Sequence, residues 1–370
     1  MRHILDISAD TTEFPWDKRT PFDAVPALLA ISLCLGVGYW TGHESAGAIA
    51  AGAAFTAGFA IFHEAMANTL LSMFLVTLGI ASGALLGSLG ASWSWAVLLL
   101  ALVAAVNYGL LSAISPTAGW IAMQSAVFVI VASYFKQGLK YAVGRAEMVL
   151  LGGSILMLFH VLVYWVRPHP DHVAVPVRPV RLRARLRGLW VRVQAHSRLN
   201  AETAPYTLRM AFTLVLCTAL YRHYHVRNGY WSPMTALLVL KPQWSATLSR
   251  GIARLAGTLV GAGIALLLAR TATFNTVEIY LLILVCAWGC YTLQAVNYAV
   301  FSMFITLYIV FLFRFGGFSQ TSAAHIRLLN TAVGGGLALG IDWVWLRLAG
   351  LRKAAPRTSE RPLPDANFVQ

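Results

Sequence analysis

Charge is scarce in this chain, and negative charge is scarcest. Asp, Glu, Lys and Arg together make up 11% of the 370 residues, and only 14 residues are carboxylates. A soluble fold of this length could not cover its apolar surface with so few polar groups, so a water-soluble globular protein is excluded. There are four cysteines, Cys34, Cys217, Cys286 and Cys290, all in apolar runs and none with a metal-type partner set. Free cysteine behaves as a small hydrophobe in such settings, so these read as packing residues and carry no information about compartment. No glycine-rich phosphate loop is followed by Lys-Ser or Lys-Thr, which excludes an intrinsic ATPase. No His, Cys or carboxylate cluster has metal-ligand spacing, and nothing pairs Ser with His on neighbouring elements. Neither an enzyme nor a cofactor is expected.

Apolar residues are what the chain has in abundance, at 58%. Twelve stretches are apolar enough to cross a bilayer: roughly 23–41, 45–62, 67–88, 93–112, 117–135 and 148–166, then 206–221, 229–241, 251–270, 277–294, 296–313 and 328–346. A helix satisfies its backbone polar groups internally, so the expected fold is an all-α polytopic membrane protein with about twelve transmembrane helices. The stretch 229–241 is short, which points to a broken helix or one starting in the preceding loop. The expected division is an N-terminal segment (1–22), a first six-helix repeat (23–166), a connector (167–205), a second six-helix repeat (206–346) and a charged, Pro-rich, disordered tail (347–370). Residues 1–22 hold Asp6, Asp10, Glu13 and Asp17 and no apolar run, so no cleavable signal is expected before the first span.

The halves read as parallel repeats. Ile31-Ser32-Leu33-Cys34-Leu35 resembles Leu214-Val215-Leu216-Cys217-Thr218, and Thr69-Leu70 with Gly79 and Gly83 matches Thr247-Leu248 with Gly257 and Gly261 at one constant offset. Six spans per repeat place both in the same orientation, with a pathway expected between them. The small-residue stripes of Gly79, Gly83 and Gly87 and of Gly257 and Gly261 predict close packing of the third span against the ninth near the pseudo-axis, although ordinary glycine enrichment explains either stripe alone.

A net charge of +14 would suggest nucleic acid in a soluble protein, but its placement argues for a membrane surface instead. Arg167, Arg178, Arg181, Arg183, Arg185, Arg187, Arg192 and Arg198 crowd the connector. Arg347, Arg352, Lys353, Arg357 and Arg361 follow the last span. By the positive-inside rule the connector and both termini are cytoplasmic. From Val180 the connector reads as a basic amphipathic helix on anionic lipid. Lys136, Lys140 and Arg145 then fall on the outer side, against the rule.

The most specific stretch is Asn228-Gly229-Tyr230-Trp231-Ser232-Pro233-Met234-Thr235, followed by Leu238-Val239-Leu240-Lys241-Pro242 and then Thr247, Arg250, Arg254, Gly257-Thr258 and Gly261. With Leu208-Arg209-Met210-Ala211 upstream, it resembles the fusaric acid resistance (FUSC) family of bacterial inner-membrane proteins. Tyr230, Trp231, Thr235, Pro242, Gly257, Thr258 and Gly261 carry the resemblance over about fifty residues. It implies efflux of aromatic or other organic acids, with a more distant similarity to plant aluminium-activated malate channels. The connector and tail are too short to be the large cytoplasmic domains of the longer family members.

Read for their chemistry alone, Tyr230 and Trp231 can anchor a helix end at the outer interface. Lys241, Arg250 and Arg254 form a basic mouth that would concentrate organic anions, or else snorkel to headgroups. Arg209 lies deeper, where a guanidinium is costly unless paired or hydrated, which argues for a water-filled cavity. Lys136, Lys140, Arg145 and Arg314 would make the outer vestibule positive as well. Asp342 and His160, at similar depth in the two halves, are proton-coupling candidates; alternatively Asp342 pairs with Arg347 and His160 packs beside Tyr164. The leading function is an inner-membrane transporter or channel for small organic anions. The alternative is a non-transporting scaffold recruiting anionic lipid or a partner protein through the basic connector, and a lipid-modifying enzyme ranks last. Homo-oligomers and efflux-system partners are left open.

Overall fold

A computed structural model describes residues 13–63, 69–166, 203–271, 273–316 and 320–354. The first twelve residues, the connector with its expected interfacial helix and the end of the tail lie outside the described residues. Among those described there is no strand. Twelve α-helices follow one another: α1 (Val25–Trp40), α2 (Glu44–Gly58), α3 (Thr69–Gly90), α4 (Ser94–Ile114), α5 (Pro116–Ala132), α6 (Gly138–Val166), α7 (Thr203–His223), α8 (Trp231–Val239), α9 (Trp244–Thr271), α10 (Thr276–Leu293), α11 (Tyr298–Leu312) and α12 (Gln320–Ala354).

Helix ends are set by local chemistry. Ser115 caps α5 by accepting the Ala118 amide at 3.1 Å, with Pro116 at the first position where no amide partner is needed. Asn275 and Glu278 form a reciprocal capping box on α10, and Asn297 accepts the Ala299 and Val300 amides to open α11. The loop before α8 turns through left-handed residues His225 and Asn228, and the Asn228 amide donates to the Tyr134 hydroxyl. Buried Thr77, Thr213, Thr218 and Thr306 return their hydroxyls to the carbonyl four residues back, so these four are satisfied on their own helices.

Eight segments are long and apolar enough to cross a membrane: α3, α4, α6, α7, α9, α10, and the stretches Glu44–Phe62 and Tyr298–Phe315, which extend α2 and α11 by a 3-10 turn. The apolar helices α1 and α5 are shorter. Of the twelve expected spans, eight thus meet this measure among the described residues, and the stretch 229–241 is short, as its sequence suggested. The nine residues of α8 reach only about 14 Å, well short of a hydrocarbon core of about 30 Å. Leu240 leaves the helix extended before Pro242, and Thr247 holds that break by accepting the Lys241 amide at 3.0 Å and donating to its carbonyl. A short helix is tolerated at this depth because protein covers it: Trp231 through Leu237 are all buried. α12 is long, but Arg327, Asn330 and Asp342 on its buried face dilute its apolar character.

The outward faces carry large apolar side chains, including Trp40, Trp95, Leu99, Leu158, Trp165, Leu267 and Leu329. Such a surface is stable only against lipid, and the chain is a multi-pass membrane protein. Inside, α3 packs on α5 and α6, while α9 packs on α11 and α12. α2 lies on α6, and α8 on α12. Between halves, α4 packs on α7 and α1 on α10. The glycine stripes face α5 and α11 rather than each other. A Cβ on Gly83 would lie 2.5 Å from the Ser125 carbonyl oxygen, and one on Gly261 would lie 2.7 Å from that of Met303. The stripes are packing contacts, as expected, but α3 and α9 are not among the helix pairs in extended contact. Short side chains here serve neighbours two helices on in the chain.

Candidate functional site

A cavity of about 1210 Å³ lies between the two halves. Its walls are α2, α5 and the start of α6 from one half and α8, the start of α9 and α11 from the other, with Tyr108 and Ser112 of α4 at one edge. Phe55, Trp120, Phe128, Tyr230, Trp231 and Phe301 are among its lining residues, so much of the surface is aromatic.

Five cations line it, and no Asp or Glu does among the described residues. Lys241, Arg250 and Arg254 stand at the end nearest the connector. The Arg250 guanidinium lies 3.9 Å from the centroid of the Tyr298 ring, and Arg254 Nη1 donates to Ser302 Oγ at 3.4 Å. Lys140 and Arg145 stand at the opposite end. Arg145 donates to Ser88 Oγ at 2.6 Å and to Gln137 Oε1 at 2.8 Å, and its guanidinium carbon is 4.9 Å from the Phe135 ring centroid. Aromatic faces and neutral oxygens are among the groups that hold these arginines. Cationic side chains line the cavity at both ends.

Other expected site residues lie elsewhere. Lys136 and Arg314 are exposed and do not line the cavity. Tyr230 and Trp231 are buried rather than anchored in lipid: their rings pack with Tyr134 and Phe313 and form cavity wall. Thr235 is buried in α8; Gly257, Thr258 and Gly261 lie along the part of α9 that meets α11.

Arg209 is the principal correction. It does not line this cavity. Its Nη1 pairs with Asp342 Oδ1 of α12, and its Nη2 donates to the Pro242 carbonyl at 2.9 Å. Its depth in α7 signals burial, but the partner lies 133 residues away in sequence, and linear pattern does not distinguish a paired from a hydrated guanidinium. Asp342 is thus taken by Arg209 and not by Arg347, whose guanidinium lies over Trp343, 5.2 Å from the ring centroid. His160 sits on α6, and α6 and α12 are not in extended contact, so the structure does not bring His160 and Asp342 together.

Two residues escaped the sequence reading. His63, at the connector end of the cavity, stacks on Trp120 at 4.6 Å between ring centroids. Burial lowers its pKa below the usual imidazole value, offset in part by a hydrogen bond with the Phe59 carbonyl. Arg327 of α12 is buried with its guanidinium 4.2 Å from the centroid of the Trp231 ring. An arginine inside an otherwise apolar helix was the available signal.

Fold and cavity together define a helical membrane protein with an aromatic-lined cavity, bordered by five cationic side chains, between two halves. Residues 215–341 match the family model of fusaric acid resistance protein-like proteins, so the resemblance carried by the Tyr230-Trp231 motif is established over a stretch longer than the motif itself. An uncharacterized protein of Haemophilus influenzae is 27% identical over 179 residues, covering 47% of this chain and 25% of that protein. The inner membrane protein YccS of Escherichia coli is 27% identical over 161 residues, covering 43% of this chain and 22% of YccS. Uncharacterized protein ORF2 of Neisseria gonorrhoeae is 24% identical over 169 residues, covering 44% of this chain and 40% of that protein. The match thus spans about a quarter of the length of the Haemophilus and Escherichia relatives. No solved structure matches the chain.

Proposed function

We propose that the protein is a non-enzymatic transporter or channel of the bacterial inner membrane that moves small organic anions, in particular aromatic carboxylic acids, outward through the cavity between its halves. The observation that carries this reading is the cavity lining, with five cations, many aromatic rings and no carboxylate among the described residues. Cations at both ends lower the energy of an anion along the path and raise that of a cation. Aromatic walls offer apolar, polarisable surface to a benzoate-like ring. The scaffold alternative expects a dry, fully packed interior, and the cavity speaks against it.

The same packing pattern supports the two-repeat reading. Each pair α3–α5, α3–α6, α2–α6 and α4–α5 has its counterpart six helices on, in α9–α11, α9–α12, α8–α12 and α10–α11. The inter-half pairs α4–α7 and α10–α1 exchange in the same way. Termini and connector on the cytoplasmic side follow from the arginine asymmetry. Reporter fusions within the connector and at the C-terminus should both give cytoplasmic signals, and opposite signals would overturn that topology.

The functional test is counterflow of labelled benzoate into proteoliposomes containing the purified protein. Uptake above empty liposomes, with choline or another organic cation excluded, supports the reading. Equal rates with and without protein would reject it.

A further inference from the structure

Two arginines inside the second half have no carboxylate partner among the described residues. Arg254 of α9 is 2% exposed and Arg327 of α12 is 1% exposed. They approach α11 from two sides: Arg254 Nη1 donates to Ser302 Oγ at 3.4 Å, and Arg327 Nε to Thr306 Oγ1 at 3.3 Å, two hydroxyls one turn apart. Arg254 Nε and both Arg327 Nη nitrogens are shut off from solvent and have no acceptor, and the Thr258 hydroxyl, one turn on from Arg254, is in the same state. Neither arginine has a carboxylate partner among the described residues, and the buried Asp342 belongs to Arg209.

This arrangement is costly as it stands. A guanidinium cannot escape burial by losing its proton, as a lysine can. The Trp231 face below Arg327 offers only partial relief. What is missing is negative charge with several lone pairs; Arg254 and Trp231 border the cavity, and Arg327 lies against Trp231 without lining it.

We propose that Arg254 and Arg327 form a binding site for a small singly charged anion, a carboxylate head or a halide, between α9, α11 and α12 and next to the cavity wall at Arg254 and Trp231. The forked donors of a guanidinium match the two oxygens of a carboxylate, and a halide satisfies the same donors. A carboxylate seated here places its attached ring toward the aromatic cavity wall at Trp231. The site deepens the anion-path reading and rests on it for delivery of the occupant.

The test uses the full chain in detergent, exchanged into a zwitterionic buffer without added salt, with thermal unfolding and tryptophan fluorescence followed as chloride, benzoate or neutral benzamide is added. Chloride or benzoate, but not benzamide, should raise the midpoint saturably. Arg327→Gln and Arg254→Gln should weaken that apparent affinity by about tenfold or more, as expected for loss of a charge-assisted contact, while Arg314→Gln on the surface should leave it within about twofold. Arg327→Lys keeps the charge without the fork and serves if the glutamine variant does not fold; its affinity should also fall. Response to benzoate alone identifies the occupant as the organic acid, and response to chloride alone identifies a resident inorganic ion. Wild-type protein insensitive to both anions, stabilised equally by benzamide, or matched by the Arg327 and Arg254 variants would overturn the site. Binding without benzoate counterflow would reject the anion path and leave the site standing; counterflow with variant affinities unchanged would do the reverse.

Discussion

Arg209 on α7 and Asp342 on α12 form a buried ion pair that ties the first and last helices of the second half together, with Asp342 0% and Arg209 6% exposed. The Pro242 carbonyl accepts a second bond from the same guanidinium, so the break after α8 is held by that pair as well. Charge inside a membrane protein is tolerated here because it is locally neutral and hydrogen-bonded.

Removing one partner should therefore be worse than removing both. Asp342→Asn leaves the Arg209 charge uncompensated and should destabilise the folded protein by about 3–5 kcal/mol, whereas Arg209→Met with Asp342→Leu should recover much of that. Chemical unfolding in detergent measures the difference, and an Asp342→Asn protein as stable as the parent would show the pair to be dispensable.

Packing against α11 predicts a contrast within one helix. Gly261→Leu drives a side chain into the Met303 backbone, while Gly263, two residues on, has nothing within 4 Å of a built Cβ. Overpacking of this kind costs about 1–3 kcal/mol or more, so Gly261→Leu should lose monodisperse protein on size exclusion and Gly263→Leu should not. Equal behaviour of the two would mean that α9 and α11 do not meet as described.

Positive charge at the cavity ends should set capture rather than stability. Lys140→Gln and Lys241→Gln are expected to slow benzoate counterflow several-fold at low salt, with unchanged melting. The deficit should shrink as ionic strength rises, because charges more than about 10 Å apart are screened at 0.1 M. Rates independent of both charge and salt would remove the electrostatic role.

His63 adds a pH dependence. Burial lowers its folded-state pKa below the 6.5 of a free imidazole, so on acidification the unfolded chain takes up the proton first. Its contribution to stability is complete above pH 6.5 and is lost as pH falls below it. His63→Phe, which retains the stack on Trp120, should flatten the acid-side decline in melting temperature. An unchanged pH profile would show that His63 does not titrate in that range.

The helices and their order were legible because each is a continuous apolar run, and apolar runs need no partner to be recognised. The motif around Tyr230 and Trp231 was legible for the same reason: it is contiguous, and its residue types are uncommon together. The charges of Lys241, Arg250, Arg254, Lys140 and Arg145 could be assigned to two ends of the molecule by counting helices.

Composition and linear pattern by themselves determined the solvent, the secondary structure and the sign of the charge at each end, since all three depend on residues near one another in the chain. Tertiary structure alone decided which charges meet. Arg209 finds Asp342 133 positions away, Arg327 leans on Trp231, and the rings expected in lipid turn into the cavity wall. Arginine has the same local signature whether it is paired, stacked or waiting for an anion; the difference lies in what the neighbouring helices present to it, and that is fixed only when they pack.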